Sequence, residues 1–447
     1  MEVVEIISTK EEKLISKLMF LFMLTIVISY LLRDSFGFNI PTILFLMLYT
    51  LGFLVLKRKE LLQFFIFLIP ISKGPLLYYL NMIFALMFLI KNIEYIKINR
   101  AVIVGFILVL WEALHLLPNS FSGYNESIIK LLGFALCLIV ATIAISNDKL
   151  SKDYLSIIFS WCIGLASFCS ILLIKYINNY GLSNFTTIVR RFGWLPASLD
   201  STSTSLLINP NALGKLVILT VFSLLTVIKY EKKYTLKIII LIIYFFPFGL
   251  MTGSRSFLLV FTILFFVYLL EIIFNIRDNK KMGLVIMIIS VLILFFATNY
   301  MESTLNMISK RMQTEDISGS RFEIYKLYID ALKNSPYIIF GSGMQDYNLK
   351  YNLTMSSHNF FIEVISIWGI IGLVIVFLWL ISLYKSLKPN RNVNICGKSI
   401  IHYLPLLGLF LYAQTGQFFI SYYDTLPTLI LAFLNIKYVY RKLGKSN

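Results

Sequence analysis

Apolar residues fill most of the chain in long blocks, and short polar segments separate each block from the next. Most blocks hold about 17 to 23 residues, which as a helix cross a hydrocarbon core roughly 30 Å thick. The pattern predicts about fourteen membrane-spanning helices in one integral membrane domain, residues 1–447, of the all-α polytopic transmembrane class. The predicted spans are residues 14–32, 38–56, 61–72, 75–90, 101–117, 128–145, 154–176, 210–228, 236–252, 256–274, 283–298, 359–384, 399–419 and 425–440.

The composition excludes an ordinary soluble globule. Hydrophobic residues make up 58% of the chain and charged residues 14%, and the mean hydropathy is +0.81. Soluble domains carry about a quarter charged residues. The net charge of +17 does not indicate nucleic-acid binding, because the basic residues lie in short clusters between the apolar blocks. A nucleic-acid interface needs a basic stripe or patch instead.

The cysteine and histidine content argues against a disulfide framework and against a bound metal. The four cysteines contain no Cys-x-x-Cys pair, and the three histidines are scattered without the spacing of paired ligands. We therefore expect neither a metal nor another cofactor.

The basic residues also predict the orientation. Cytoplasmic loops of membrane proteins collect Lys and Arg, and with the N-terminus inside, most of the 40 basic residues fall on the cytoplasmic side. An even number of spans then places both termini in the cytoplasm. Two long segments, residues 177–209 and 299–357, lie on the outer face, and loops of that length are uncommon unless they have a function.

The second outer loop, residues 299–357, contains its own helix signal. Ser320 is predicted to cap a helix, with Glu323 at the capping-box spacing. We expect the apolar face of this helix to lie on the transmembrane bundle or on lipid headgroups. That face consists of Phe322, Tyr325, Ile329 and Leu332.

Several polar residues at predicted outer ends of spans are candidates for function. Guanidinium groups gathered at one face are costly unless they hold an anion, and their fork suits phosphate oxygens. The turn around Arg255 also begins a helix, where free backbone N–H groups favour a phosphate. Lys215 is either a snorkelling side chain or a further anion contact. The candidates are Arg190, Arg191, Asn211, Arg255, Arg321, His358, Asn359 and Glu363.

Each candidate also has a purely structural interpretation. Arg255 fits a side chain that snorkels to the membrane interface about as well as one that binds an anion. The loop arginines fit solvated charges, and His358 fits a helix cap. His115 and His402 are expected to be buried, hydrogen-bonded residues.

Seven short segments follow one another in a recognisable order. Their order and spacing resemble the O-antigen ligase/polymerase family, which includes Wzy-type polysaccharide polymerases and lipopolysaccharide ligases. The resemblance covers about residues 180–385. The segments are Arg191-Phe-Gly193, Asn209-Pro-Asn211-Ala-Leu-Gly214, Thr252-Gly-Ser-Arg255-Ser, Ser320-Arg321, Phe340-Gly341-Ser-Gly343-Met, Ser357-His358-Asn359 and Trp368-Gly369-Ile-Ile-Gly372.

This resemblance implies a metal-independent glycosyltransferase in a bacterial cytoplasmic membrane. Such enzymes move a glycan from an undecaprenyl-diphosphate carrier to an acceptor at the outer face. The arginines are implied to bind the diphosphate, and His358 to activate the acceptor hydroxyl or steady the leaving group. Ser256 departs from the glycine that the family more often has there, which leaves the local backbone conformation open. The implied site residues are His358 and Arg255 for catalysis and Arg190, Arg191, Asn211, Arg321 and Asn359 for substrate binding.

Polymerase and ligase activities are not separated by these segments. The chain is rich in Ile, Lys and Asn, a composition typical of low-GC genomes, and many such cells lack lipopolysaccharide. A capsular or exopolysaccharide polymerase is therefore favoured. The implied partners are the undecaprenyl-diphosphate-linked glycan, membrane lipid, a flippase and a chain-length regulator.

Two other function classes compete with this interpretation. A lipid-linked oligosaccharide flippase, which is a transporter, should carry charge through several spans and show two pseudo-symmetric halves. Here the charges lie at the outer ends of spans, and the long loops lie in the second half. A non-catalytic scaffold or chain-length regulator usually has few spans.

Overall fold

The computed structural model describes residues 16–116, 124–147, 153–181, 192–193, 208–274, 321–333, 335–345, 347–387 and 399–444. Within these ranges the chain is helical and contains no β-strand. Arg190, Arg191, the predicted cap Ser320 and the predicted span 283–298 lie outside them.

The described residues form sixteen α-helices. The first eight are α1 (Lys17–Phe36), α2 (Thr42–Val55), α3 (Arg58–Ile71), α4 (Pro75–Asn92), α5 (Arg100–Leu114), α6 (Tyr124–Ser146), α7 (Tyr154–Tyr180) and α8 (Pro210–Tyr230). The others are α9 (Thr235–Met251), α10 (Arg255–Phe274), α11 (Arg321–Lys333), α12 (Tyr337–Phe340), α13 (Tyr347–Lys350), α14 (Phe360–Ser386), α15 (Leu404–Ala413) and α16 (Tyr422–Gly444).

Eight helices of the described part are long and apolar enough to cross a membrane, and Thr42–Val55 and Ile401–Ala413 are shorter apolar segments. Large apolar side chains such as Phe20, Met47 and Leu236 are more than half exposed on the outside of the bundle. An exterior of this kind matches contact with lipid. The predicted fold class, an all-α polytopic membrane bundle, is confirmed. The count of fourteen spans stays a prediction.

The predicted span 399–419 is wrong in its second half. The ten-residue helix α15 ends at Ala413, and residues 414–421 leave the helical conformation before α16 begins. At 1.5 Å per residue, such a helix covers about 15 Å, half of a hydrocarbon core. The buried carboxylate of Glu363 accepts hydrogen bonds from the N–H groups of Phe418 and Ile420, at 2.8 and 2.7 Å. Glu363 therefore stabilises this break, which a hydropathy pattern does not reveal.

A kink in α14 holds the segment that follows α12. Gly369 has a φ of 69°, outside the helical range. Two carbonyl groups of the turn before Gly369 accept hydrogen bonds from the segment after α12. Ser342 N–H donates to Ser366 O at 3.1 Å, and Gly343 N–H donates to Ile367 O at 2.8 Å. The kink thus anchors part of the predicted long loop at one end of the bundle.

That end, where α8, α10 and α14 begin, is called the site end below. Helices α8 and α10 run from it to the opposite end. There Lys229 near the end of α8 pairs with Glu271 near the end of α10, at 3.1 Å. Lys442 of α16 pairs with Glu231 at the same opposite end. The two ends therefore differ in composition, and lysines gather at the end away from the site.

Candidate functional site

Helix α11 is the predicted loop helix, and it lies across the site end. Tyr325 donates its hydroxyl hydrogen to the carbonyl groups of His358, at 3.2 Å, and Gln414, at 2.8 Å. Tyr328 donates to Met355 O at 2.7 Å. Through these contacts α11 joins the start of α14 to the end of α15.

The predicted apolar face of α11 is only partly correct. Leu332 is buried and Tyr325 is half-buried, but Phe322 is 73% exposed and Ile329 44% exposed. The most buried residue of the helix is Tyr328. Leu332 and the two tyrosines with hydrogen-bonded hydroxyl groups pack against the bundle, whereas Phe322 and Ile329 point outward, where lipid headgroups are expected.

The first turns of α8 and α10 are tied to each other. Asn209 caps α8 by accepting a hydrogen bond from Asn211 N–H at 2.9 Å. Ser254, which precedes α10, accepts from Phe257 N–H at 3.2 Å and donates to Asn211 Oδ1 at 2.6 Å. The contact brings two sequence-predicted site positions, Asn211 and the neighbouring Arg255, to the same end.

Two arginines lie near this contact. Arg321, the first residue of α11, donates from Nη1 to Ser256 Oγ at 3.3 Å. Burial lowers the pKa of Arg321, and the nearby positive charge of Arg255 lowers it further. The two side chains therefore lie within electrostatic range of each other, and guanidinium is well suited to a diphosphate.

His358 occupies a strained position at the start of α14. Its φ is 48°, in the left-handed region that non-glycine residues rarely adopt. Such a conformation costs about 1–3 kcal/mol and persists only where the surroundings impose it, often at functional sites. Burial lowers the pKa of His358, and the charge of Arg321 lowers it further. The imidazole is therefore neutral near pH 7 and able to accept a proton.

Asn359 follows His358 and fixes the helix start. Its Oδ1 accepts hydrogen bonds from Phe361 N–H at 3.0 Å and Ile362 N–H at 3.2 Å. Its Nδ2 donates to Gln414 Oε1 at 3.3 Å. The side chain is thus a helix cap and a tie to the break after α15, which is a structural role beside the predicted role in substrate binding.

A cavity of about 180 Å³ opens next to His358. It lies between the starts of α8 and α14, the break at residues 414–421 and the start of α16. Its deeper part holds an ion pair, Lys215 Nζ to Asp424 Oδ2 at 2.6 Å. The cavity is lined by Asn209, Asn211, Ala212, Lys215, His358, Leu409, Tyr412, Ala413, Thr415, Gly416, Gln417, Phe418, Ser421, Asp424 and Thr425.

Asp424 and Tyr412 are two of the lining residues that sequence reasoning missed. Asp424 stands directly before a predicted span, in the same kind of position as His358, so the rule that selected polar residues at span ends could have found it. Tyr412 gave no signal, because it lies within an apolar block. Lys215, for which two interpretations were open, has a carboxylate partner in Asp424.

Arg190 and Arg191 cannot be placed, since they lie outside the described residues. The two residues that follow them are placed. Phe192 N–H donates to Met251 O at 3.0 Å, and Ile208 N–H donates to Gly193 O at 3.1 Å. Phe192 and Gly193 therefore lie between the end of α9 and the start of α8, at the site end.

The other two histidines lie outside this cavity. His115 is half-buried, and its ring nitrogens lie 2.8 Å from Trp111 O and 2.9 Å from Phe340 O. His402 is buried, as expected, but its ring nitrogens have no hydrogen-bond partner among the described residues. The prediction of a hydrogen-bonded His402 is thus wrong. The described part of the chain holds no group of three or more His, Cys, Asp or Glu side chains that could bind a metal ion.

Comparison with known proteins supports one family. Residues 239–377 match the model of the O-antigen ligase family. This range contains Arg255, Arg321, His358 and Asn359, whereas Asn211 and the break at residues 414–421 lie outside it. No curated protein and no solved structure matches the chain. The resemblance inferred from the short segments is confirmed at the level of an O-antigen ligase/polymerase-type family.

Proposed function

We propose that this chain, with residues 239–377 like an O-antigen ligase, polymerises undecaprenyl-diphosphate-linked oligosaccharide units into a surface polysaccharide. The family match supports glycan transfer in polysaccharide or O-antigen biosynthesis, and the polymerase activity is our proposal. One observation carries it. Arg255, Arg321 and a neutral His358 lie at the same end of a membrane-embedded bundle, and a cavity opens beside His358.

The two arginines bind the diphosphate of the lipid-linked donor. A sugar joined to a diphosphate already has a good leaving group, so its departure needs charge stabilisation more than strong acid catalysis. Guanidinium groups held in place away from bulk water supply that stabilisation, and each presents two donors to phosphate oxygens. Arg190, Arg191 and Asn211 are proposed to contribute further contacts with the substrate.

His358 acts as the base. The acceptor hydroxyl oxygen forms a bond to the anomeric carbon of the donor sugar. The bond from that carbon to the diphosphate oxygen breaks, and its electron pair leaves with the diphosphate. The hydroxyl proton passes to the neutral imidazole, which is available because burial and Arg321 lower the pKa of His358. Asn359 holds the helix start that carries this residue.

The proposed setting is the outer face of a bacterial cytoplasmic membrane, with both termini in the cytoplasm. Lysines at the opposite end of the bundle, such as Lys229 and Lys442, support that orientation because basic residues favour the cytoplasmic side. A capsular or exopolysaccharide is the proposed product. A flippase that delivers the lipid-linked unit and a chain-length regulator are the proposed partners.

Replacement of His358 tests this function. His358→Asn removes the imidazole but keeps a residue that tolerates a positive φ, and His358→Ala removes the side chain. Each should lower chain growth by about a hundredfold or more, the usual contribution of one acid–base group. Polymer length on a gel is compared with the amount of protein in the membrane. His402→Phe, which fills the volume of a residue remote from the cavity, should make chains of normal length.

Long chains made by abundant His358→Asn protein would contradict the catalytic role. If His358→Ala alone disappears from the membrane, the Asn variant still decides between a base and a structural residue, since it preserves the backbone conformation.

A further inference from the structure

The cavity beside His358 has a charged floor. Lys215 on α8 and Asp424 on α16 are separated by 2.6 Å, and only 13% and 15% of their side chains are exposed. Both line the cavity. The two residues are distant in sequence, so the fold alone brings them to this place.

Two buried hydroxyl groups belong to residues of the cavity wall, Tyr412 and Thr425. Thr425 Oγ1 forms no hydrogen bond within the described residues, and Tyr412 Oη has only the Ser254 hydroxyl beside it. Ser254 donates its own hydrogen to Asn211, so the oxygen of Tyr412 receives no hydrogen bond from it. Buried polar groups are nearly always paired in folded proteins. Hydrogen-bonding capacity left unused beside a cavity is available to a ligand that enters it.

The charges of the floor differ from those of the arginine side of the site. Arg255 and Arg321 offer only positive charge and donors, as a diphosphate requires. The floor offers an acceptor in Asp424 as well as a donor in Lys215, and their opposite charges offset each other. A sugar ring presents hydroxyl groups that both donate and accept. The floor thus suits a hydroxyl-rich, uncharged ligand.

The size of the cavity limits that ligand. About 180 Å³ is smaller than the roughly 300–1,000 Å³ of pockets for drug-sized molecules. It is suited to one sugar residue rather than to an oligosaccharide. The ring that enters lies between the floor and His358, which is the place the acceptor hydroxyl must occupy if His358 is to take its proton.

We infer that this cavity is the subsite for the acceptor sugar, whose hydroxyl groups bind Asp424, Lys215 and Tyr412 so that one hydroxyl faces His358. The inference rests on the proposed glycan transfer and adds the residues that choose and orient the acceptor.

An exchange of the charges of Lys215 and Asp424 distinguishes a role in acceptor binding from a role in the stability of the fold. Lys215→Asp combined with Asp424→Lys retains an ion pair but reverses the donor and the acceptor. The matched control exchanges the pair at the opposite end, Lys229→Glu with Glu271→Lys. Tyr412→Phe is a second variant that removes only the hydroxyl beside Ser254 and keeps the buried ring, so it should fold normally.

Two probes report on the two parts of the site. One is the lipid-linked repeat unit extracted from host cells that lack this chain, and the other is undecaprenyl diphosphate without sugar. We expect the Lys215/Asp424 exchange to raise the repeat-unit concentration for half-maximal rate at least about tenfold, as the loss of a hydrogen bond to a charged group implies. Tyr412→Phe should raise it about threefold or more. Binding of undecaprenyl diphosphate should change less than about twofold in both, and the control exchange should leave both measurements near the original values.

Two results would overturn the inference. If the rate depends on the repeat-unit concentration as in the original protein, in both the Lys215/Asp424 exchange and Tyr412→Phe, the Lys215–Asp424 pair is a structural contact only. A loss of undecaprenyl diphosphate binding in these variants would assign the floor to the carrier instead. Arg255→Lys, measured beside them, should weaken undecaprenyl diphosphate binding. If Arg255→Lys and His358→Asn also behave normally, the proposed function itself fails.

Discussion

The strained backbone at His358 and the charge of Arg321 act on the same imidazole. Tyr325 of α11 donates to the His358 carbonyl, so the helix that carries Arg321 also holds the left-handed turn. Arg321 and Tyr325 are four positions apart, which places them on the same face of α11. One helix therefore sets both the position and the basicity of the proposed base.

A pH profile tests this coupling. A neutral His358 is required as base, so the rate should fall as the pH drops below its pKa. Burial and the Arg321 charge both lower that pKa. Arg321→Gln removes the charge, and the pKa should rise toward the ordinary value of about 6.5, which moves the acidic limb of the profile to higher pH. The measurement is the relative rate of chain growth between about pH 5 and 8, over the range where an ordinary histidine titrates.

Arg321→Lys is the matched control. It keeps the positive charge but loses the guanidinium fork, so the maximal rate should fall while the acidic limb stays in place. An unchanged limb in Arg321→Gln would show that Arg321 does not tune His358.

Sequence alone could select some of the site residues and not others. Arg255, Asn211, His358 and Asn359 stand next to span ends in recognisable segments, and the structure places them at one end. Tyr412 could not be selected, because its place in the cavity depends on the helix break that follows it. Its contact with the site comes from packing between distant elements and has no local signature.

At the scale of elements, two interruptions of helices position much of the site. Glu363 stabilises the break after α15, and the kink at Gly369 anchors the segment after α12. Hydropathy identified the long bundle helices because each is a largely continuous apolar run. It could not identify the breaks, because their stability comes from hydrogen bonds to residues far away in sequence, such as that of Ile420 N–H with Glu363.

Gly369→Ala tests the kink. An added Cβ would lie 2.1 Å from Ile339 O, and alanine is strained at a φ of 69°. The backbone strain alone should lower the free energy of unfolding by about 1–3 kcal/mol. The segment that begins at Gly341 should also no longer pack against α14. We expect a lower thermal unfolding midpoint in detergent and slower chain growth.

The control for that substitution is Gly105→Ala in the middle of α5. Its Cβ would meet Trp379 Nε1 at 3.4 Å, an ordinary contact, and alanine favours a helix over glycine. Its midpoint should therefore be unchanged or slightly higher. Equal midpoints for the two variants would mean that the kink at Gly369 is not under constraint.

For the whole molecule, the fold class was the easiest property to predict. Apolar blocks as long as a bilayer core predict membrane-spanning helices, because a helix pairs every backbone N–H and C=O group by hydrogen bonds within the segment. The number of spans was harder, since α15 is too short to cross alone and rests on the break that follows it. The orientation depends on a different signal, the accumulation of lysines at the end opposite the site.

Orientation can be tested by labelling with an impermeant maleimide in intact cells. Met355→Cys, in an exposed position at the site end, should react from outside, because the charge bias places that end away from the cytoplasm. Lys232→Cys, also exposed but at the opposite end, should react only after the membrane is opened. Cys396→Ser removes a cysteine from a predicted cytoplasmic loop, and the buried Cys137, Cys162 and Cys169 serve as an unreactive background. Labelling of Lys232→Cys in intact cells would place the arginines and His358 in the cytoplasm, where the proposed polymer could not be released at the cell surface.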